Sequence, residues 1–133
     1  MAPRPRLARA PVVFDAEAWA EDLQPASERG REVAVDSRAR LEREGQPVSE
    51  LRACDAEGRD GTRLAGCLKV YLPPPAGPWG FVFLLGRSTD GGPARLEFLA
   101  FGLRHPPEGT RRPSVYAIAH RRLHGRVPRP PAS

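Results

Sequence analysis

Apolar residues are spaced along this chain first as in helices and then as in strands. Val12-Val13-Phe14 is a short apolar segment that predicts an edge strand. Asp15 follows as an N-cap, which puts Phe14 at N′ and Trp19 at N4, the two positions of a hydrophobic staple. The helix so begun is expected over 16–24, with Trp19 and Leu23 on its apolar stripe, and Pro25 ends it by disfavouring helix in the residue before. Ser27 caps a second helix, expected over 28–44. Val33 or Ala34, Ser37 and Leu41 line one side of it, charged residues fill the rest, and Gly45 and Pro47 stop it. So thin a stripe predicts a surface helix with one side over a sheet. Residues 52–66 have the composition of a loop.

The period then changes from helical to two. Leu68, Val70 and Leu72 alternate with Lys69 and Tyr71, as in a half-buried strand whose two polar-tipped residues share a face. Pro73 to Pro78 is a turn, and Trp79 to Leu85 is a nearly continuous apolar run, as in a central strand covered on both sides. A hairpin loop over 87–93 leads to a third strand over 95–101. Three strands with hairpin-length connections make an antiparallel meander. Pro113-Ser114 then offers a cap for a helix over 115–124 with Gly125 at C′. Val115, Ile118 and Ala119 form its apolar side, and Tyr116, His120 and Leu123 or His124 form another face. The order is tail, helices, then sheet.

Length and composition narrow the class. With 133 residues, 40% of them hydrophobic, the chain holds one small core, and 16 prolines and 13 glycines add turns and loose ends. We expect a basic arm over 1–11, one domain over 12–125 and a Pro/Arg-rich tail over 126–133. No stretch approaches the roughly 20 apolar residues of a membrane span. The N-terminus lacks the apolar core of a secretory signal, so cytoplasmic location and reduced thiols are expected. Cys54 and Cys67 have no histidine pair nearby, which argues against a tetrahedral zinc set, and no cofactor is expected.

The net charge of +5 is uneven. The arginines of the two tails account for all of it. Between them, residues 11–60 hold 7 arginines against 13 acids, and residues 61–125 hold 9 basic residues against 3 acids. A cationic second half suits an anionic partner, nucleic acid above all, although two complementary layers of one fold would give the same asymmetry.

Candidate chemistry gathers after the third strand. No catalytic Ser-His-Asp pattern, phosphate loop, dinucleotide fingerprint or metal-spaced His/Cys cluster is present. Arg104, His105, Arg111, Arg112, Tyr116, His120, Arg121 and Arg122 instead accumulate against the single acid Glu108. Cleaving RNA through its own 2′-hydroxyl needs a base, an acid and cations for the phosphorane, all of which such side chains supply without metal. Aromatic rings add stacking platforms for unpaired bases. Each residue also has a plainer reading. Arg104 and His105 can be solvated, Tyr116 can pack on the sheet, and Lys69 beside Tyr71 can be an ordinary strand pair. His120, Arg121 and Arg122 can complement the helix C-terminus.

The segments Leu96-Glu-Phe-Leu-Ala-Phe-Gly-Leu-Arg-His and Ser114-Val-Tyr-Ala-Ile-Ala-His-Arg-Arg-Leu resemble the end of RelE/ParE-type toxins of bacterial toxin-antitoxin modules. Leu68-Lys-Val-Tyr-Leu and Trp79-Gly-Phe-Val-Phe resemble the family's two earlier long strands. The resemblance spans about residues 12–124 and is specific mainly in 96–123. It implies an α+β fold, with two N-terminal helices packed on a small, mainly antiparallel sheet and a short C-terminal helix. It further implies metal-independent cleavage of ribosome-bound messenger RNA. Lys69 would be base or charge stabiliser, Arg104 the holder of the scissile phosphate, His105 an acid/base and Tyr116 the stacking ring. Tyr71, Arg111, Arg112, His120, Arg121 and Arg122 would contact RNA. A small cognate antitoxin would cover the basic face. The pattern departs from the RNA-cleaving branch at Gly80 and Tyr71, where basic residues are usual. That keeps open a DNA gyrase inhibitor of the ParE branch, or a relative that only binds its antitoxin.

Overall fold

The computed structural model describes residues 8–58, 61–86 and 95–125. The first seven residues of the arm, the 87–93 hairpin loop and the 126–133 tail therefore lie outside the described residues. Among the described residues the fold is α+β, with three α-helices and a mostly antiparallel sheet.

The capping residues act where the sequence puts them. α1 (Ala16–Leu23) starts at Asp15, whose carboxylate accepts from the Ala18 N–H, and the rings of Phe14 and Trp19 meet edge to face at 5.4 Å. α2 (Glu28–Glu44) starts at Ser27, whose hydroxyl accepts from the Gly30 N–H at 3.0 Å, and ends at Gly45, where φ of 79° suits glycine. α3 (Val115–Gly125) starts at Ser114, which accepts from the Ala117 N–H. It includes Gly125 within the helix instead of leaving it beyond the end.

Strands are interleaved with these helices, which corrects the expected order of tail, helices and sheet. Arg9–Ala10 (β1) belongs to no free arm, because it pairs antiparallel with Gln46–Pro47 (β3). Val12–Val13 (β2) runs parallel to the last long strand. Arg52–Ala53 (β4), in the expected loop, pairs with the first long strand. The meander itself is as expected: β5 (Cys67–Leu72), β6 (Trp79–Gly86) and β7 (Arg95–Leu103), all antiparallel. The five-stranded order is β2-β7-β6-β5-β4.

Both faces of this sheet are covered. On the first, Val70, Leu72, Phe81, Phe83, Leu96, Phe98 and Phe101 pack against Ala18 of α1 and Val33, Ala34 and Leu41 of α2. On the second, Cys67, Val82, Leu99 and Ala100 pack against Val115 and Ala119 of α3. A bulge makes both faces apolar along β7. Val82 pairs with Ala100 but Phe83 with Phe98, so Leu99 is the extra residue. Strict alternation would send Phe98 and Phe101 to opposite faces; the extra residue returns Phe101 to the face of Phe98 and leaves Leu99 and Ala100 together under α3.

Among the described residues no helix is long and apolar enough to cross a membrane.

Candidate functional site

On its second face the sheet carries polar residues toward the β4 edge, beyond the reach of α3's apolar side. Lys69 and Tyr71 alternate with Val70 and Leu72, so burying the apolar pair turns the lysine and the tyrosine to this face. Tyr71 pairs with Gly80, and a Cβ on Gly80 would stand 3.1 Å from the Val70 carbonyl and 3.4 Å from Arg104 Cγ. Arg104 thus crosses β6 within contact distance of Gly80, where any side chain larger than alanine would compete for the same space. Arg104 leaves the end of β7, donates through Nη1 to the Gly77 carbonyl at 2.8 Å and sets its guanidinium 3.5 Å from the centroid of the Tyr71 ring. Its Nε is buried without a hydrogen-bond partner.

Tyr116, in the first turn of α3, comes down on the same region. Lys69 Nζ sits 5.0 Å from the Tyr116 ring and 5.8 Å from that of Tyr71. With the exposed His105 they line one cavity of about 610 Å³, a volume typical of small-molecule and nucleotide sites. All four candidate catalytic residues, Lys69, Arg104, His105 and Tyr116, thus share one cavity with Tyr71, although β5, the end of β7 and α3 supply them from distant parts of the chain.

The other candidates lie elsewhere. Arg122 is drawn to the open side of β7, where it pairs with Asp22 of α1 at 2.5 and 2.6 Å, its side chain only 13% exposed. Arg112 is exposed and donates to the Pro25 carbonyl at 2.7 Å, on the helical side of the molecule. It lines a second cavity together with Arg121. Arg111 is exposed and does not line the candidate cavity. His120 accepts from the Arg63 N–H through Nδ1 at 2.8 Å, which in the neutral ring leaves the proton on Nε2. His124 Nε2 lies 3.2 Å from the Arg63 carbonyl, so the two imidazoles meet both backbone polar groups of Arg63 and moor its segment to α3.

That segment also brings residues to the cavity that sequence reasoning passed over. Cys54, Asp55, Thr62 and Leu64 form its wall, and Arg52, opposite Lys69 on β4, holds its guanidinium 5.1 Å from the Tyr71 ring. The sequence reads 52–66 as a loop, and a two-residue strand carries no periodicity, so nothing in the sequence placed them at this site. Burial pushes the Cys54 thiol up to about 12 and raises that of Cys67 as well, which keeps both protonated near neutrality. Among the described residues no group of three His, Cys, Asp or Glu side chains is placed to hold a metal ion.

The arrangement offers the Tyr116 ring, the Lys69 and Arg104 cations and an exposed imidazole around a cleft open to solvent, with the Tyr71 ring stacked under Arg104, a combination suited to a phosphate beside an unpaired base. No protein-family model, curated protein or solved structure matches this chain.

Proposed function

We propose that the chain is a RelE/ParE-type toxin that cleaves ribosome-bound messenger RNA without a metal ion. One observation carries this reading: Lys69, Tyr71, Arg104, His105 and Tyr116 gather around one cavity on the sheet face opposite the α1–α2 pair. The sequence resemblance assigns cleavage to such a face.

In this reaction a 2′-hydroxyl attacks the adjacent phosphorus, the P–O5′ bond breaks, and a cyclic phosphate and a free 5′-hydroxyl remain. Lys69 stabilises the phosphorane charge, and His105 transfers the proton. Tyr116 stacks on an exposed base and fixes the phosphate relative to Lys69. Arg104 takes the scissile phosphate by exchanging its bond to Gly77 for a charge-assisted one, and the unpartnered Nε favours such an exchange. A small antitoxin with an acidic segment closes the same face.

Inducing the protein in a bacterial host tests this beside Arg104→Ala and Tyr116→Ala variants, with growth scored and 5′ ends of ribosome-bound messages mapped. Codon-positioned cuts lost in both variants are expected. Arrest with intact messages and broken DNA would move the assignment to gyrase inhibition, and absence of arrest would leave only antitoxin binding.

A further inference from the structure

The two cysteines are left unused by that chemistry, and the fold places them face to face. β4 and β5 pair Arg52 with Lys69 and Ala53 with Leu68, so the next pair in register is Cys54 with Cys67. The Cys54 N–H donates to the Cys67 carbonyl at 3.0 Å. A hydrogen-bonded pair of an antiparallel ladder holds its Cα atoms about 5.5 Å apart, within the span of about 4.4–6.8 Å that a disulfide bridges. Opposed side chains also leave the sheet on the same side, and both thiols enter the second-face cluster beside Leu64. Both are free. Their access differs: Cys54 borders the candidate cavity and is 9% exposed, whereas Cys67 is 2% exposed.

We propose that Cys54 and Cys67 are a redox-modification site, at which an oxidant of the hydroperoxide class reaching the cavity joins them in a cross-strand disulfide. The Cys54 sulfur attacks one peroxide oxygen and the O–O bond breaks. Cys54 becomes a sulfenic acid, and the other oxygen leaves with the thiol proton, as water from hydrogen peroxide or as an alcohol from an organic hydroperoxide. The Cys67 sulfur then attacks the sulfenic sulfur, the S–O bond breaks, and water carries off the Cys67 proton. Two electrons pass from the thiol pair to the peroxide in all. Lys69 nearby favours the Cys54 thiolate, while burial opposes it more strongly. Oxidation is therefore slow at rest and proceeds through opening of β4, an exposed edge strand of two residues. The bridge ties β4 to β5 beside Thr62 and Leu64 and so fixes one wall of the cavity. This inference does not depend on the RNA-cleaving reading.

The test uses the full chain treated with hydrogen peroxide, quenched with catalase, then denatured and alkylated with iodoacetamide. We expect a mass lower by two hydrogens, no alkylation, and a tryptic cross-link joining the peptides of Cys54 and Cys67. Amide exchange at the Cys54 N–H should slow at least about tenfold, because the tether suppresses local opening of the edge. In a Cys67→Ala variant Cys54 should stop at a sulfenic acid that dimedone traps. Two alkylable thiols after peroxide, or added oxygens on Cys54 with Cys67 still free, would overturn the proposal.

Discussion

Asp22 and Arg122 form a forked ion pair across the side of β7 that β2 leaves open. β2 pairs with β7 only at Leu96 and Glu97. Farther along, Asp22 accepts from the Phe101 N–H at 2.8 Å and Arg122 donates to the Leu99 carbonyl at 2.9 Å, so the pair satisfies backbone groups that a longer edge strand would have taken. It also joins α1 on one face of the sheet to α3 on the other. Burial pushes the Asp22 carboxyl up, and the Arg122 fork and the Phe101 N–H pull it back. Burial likewise opposes the charge on Arg122, but its bonds to Asp22 outweigh that and hold the guanidinium charged.

Removing either partner should therefore be severe. Asp22→Ala or Arg122→Ala leaves one charge buried and β7 groups unpaired, and each should cost about 3–5 kcal/mol in urea unfolding. An Asp22→Leu, Arg122→Met double variant should lose clearly less than the sum of the single losses. Equal and additive losses would mean that the two residues act independently.

Gly80 is a packing requirement of the site. In Gly80→Ala the new Cβ meets the Val70 carbonyl at 3.1 Å and Arg104 Cγ at 3.4 Å, and a backbone atom cannot swing aside as a side chain can. We expect a loss of about 1–3 kcal/mol, in the range of overpacking. A variant of unchanged stability would show that β6 yields easily.

Binding at the cavity should be electrostatic. For a single-stranded RNA oligonucleotide, the dependence of log affinity on log salt should flatten by about 0.7 in Lys69→Ala, the contribution of one phosphate contact. Arg111→Ala, outside the cavity, should leave the slope unchanged. Fluorescence anisotropy over a salt series measures both.

The buried thiol of Cys54 makes stability fall in alkali. Well below pH 9 the thiol is neutral in the folded and unfolded chains alike, and its contribution is complete. Between the ordinary value of 9.0 and about 12 the unfolded thiol ionises while the folded one does not, so stability is lost as pH rises through that window. Denaturant midpoints at pH 8, 9.5 and 11 should fall more steeply for the natural chain than for Cys54→Ala.

Local chemistry is what the sequence disclosed most fully. Asp15, Ser27 and Ser114 cap helices through bonds to residues three positions away. The meander follows from period-2 and continuous apolar runs that each strand carries within itself. The same alternation put Lys69 and Tyr71 on one face, and the run from Arg104 to Tyr116 marked the far side of the cavity.

What the sequence could not disclose depends on partners far along the chain. β1, β3 and β4 are two residues each, too short for any periodicity, and exist because another strand receives them. The extra residue at Leu99 is visible only against the register of β6. Arg122 reads as a last-turn cation and Asp22 as one acid among several in an exposed helix. A separation of 100 residues conceals that they meet, and only the uncovered side of β7 decides that the arginine stabilises the fold instead of facing a ligand. Capping and alternation are properties of adjacent residues, whereas burial of a charge depends on which surfaces the tertiary fold leaves unpaired.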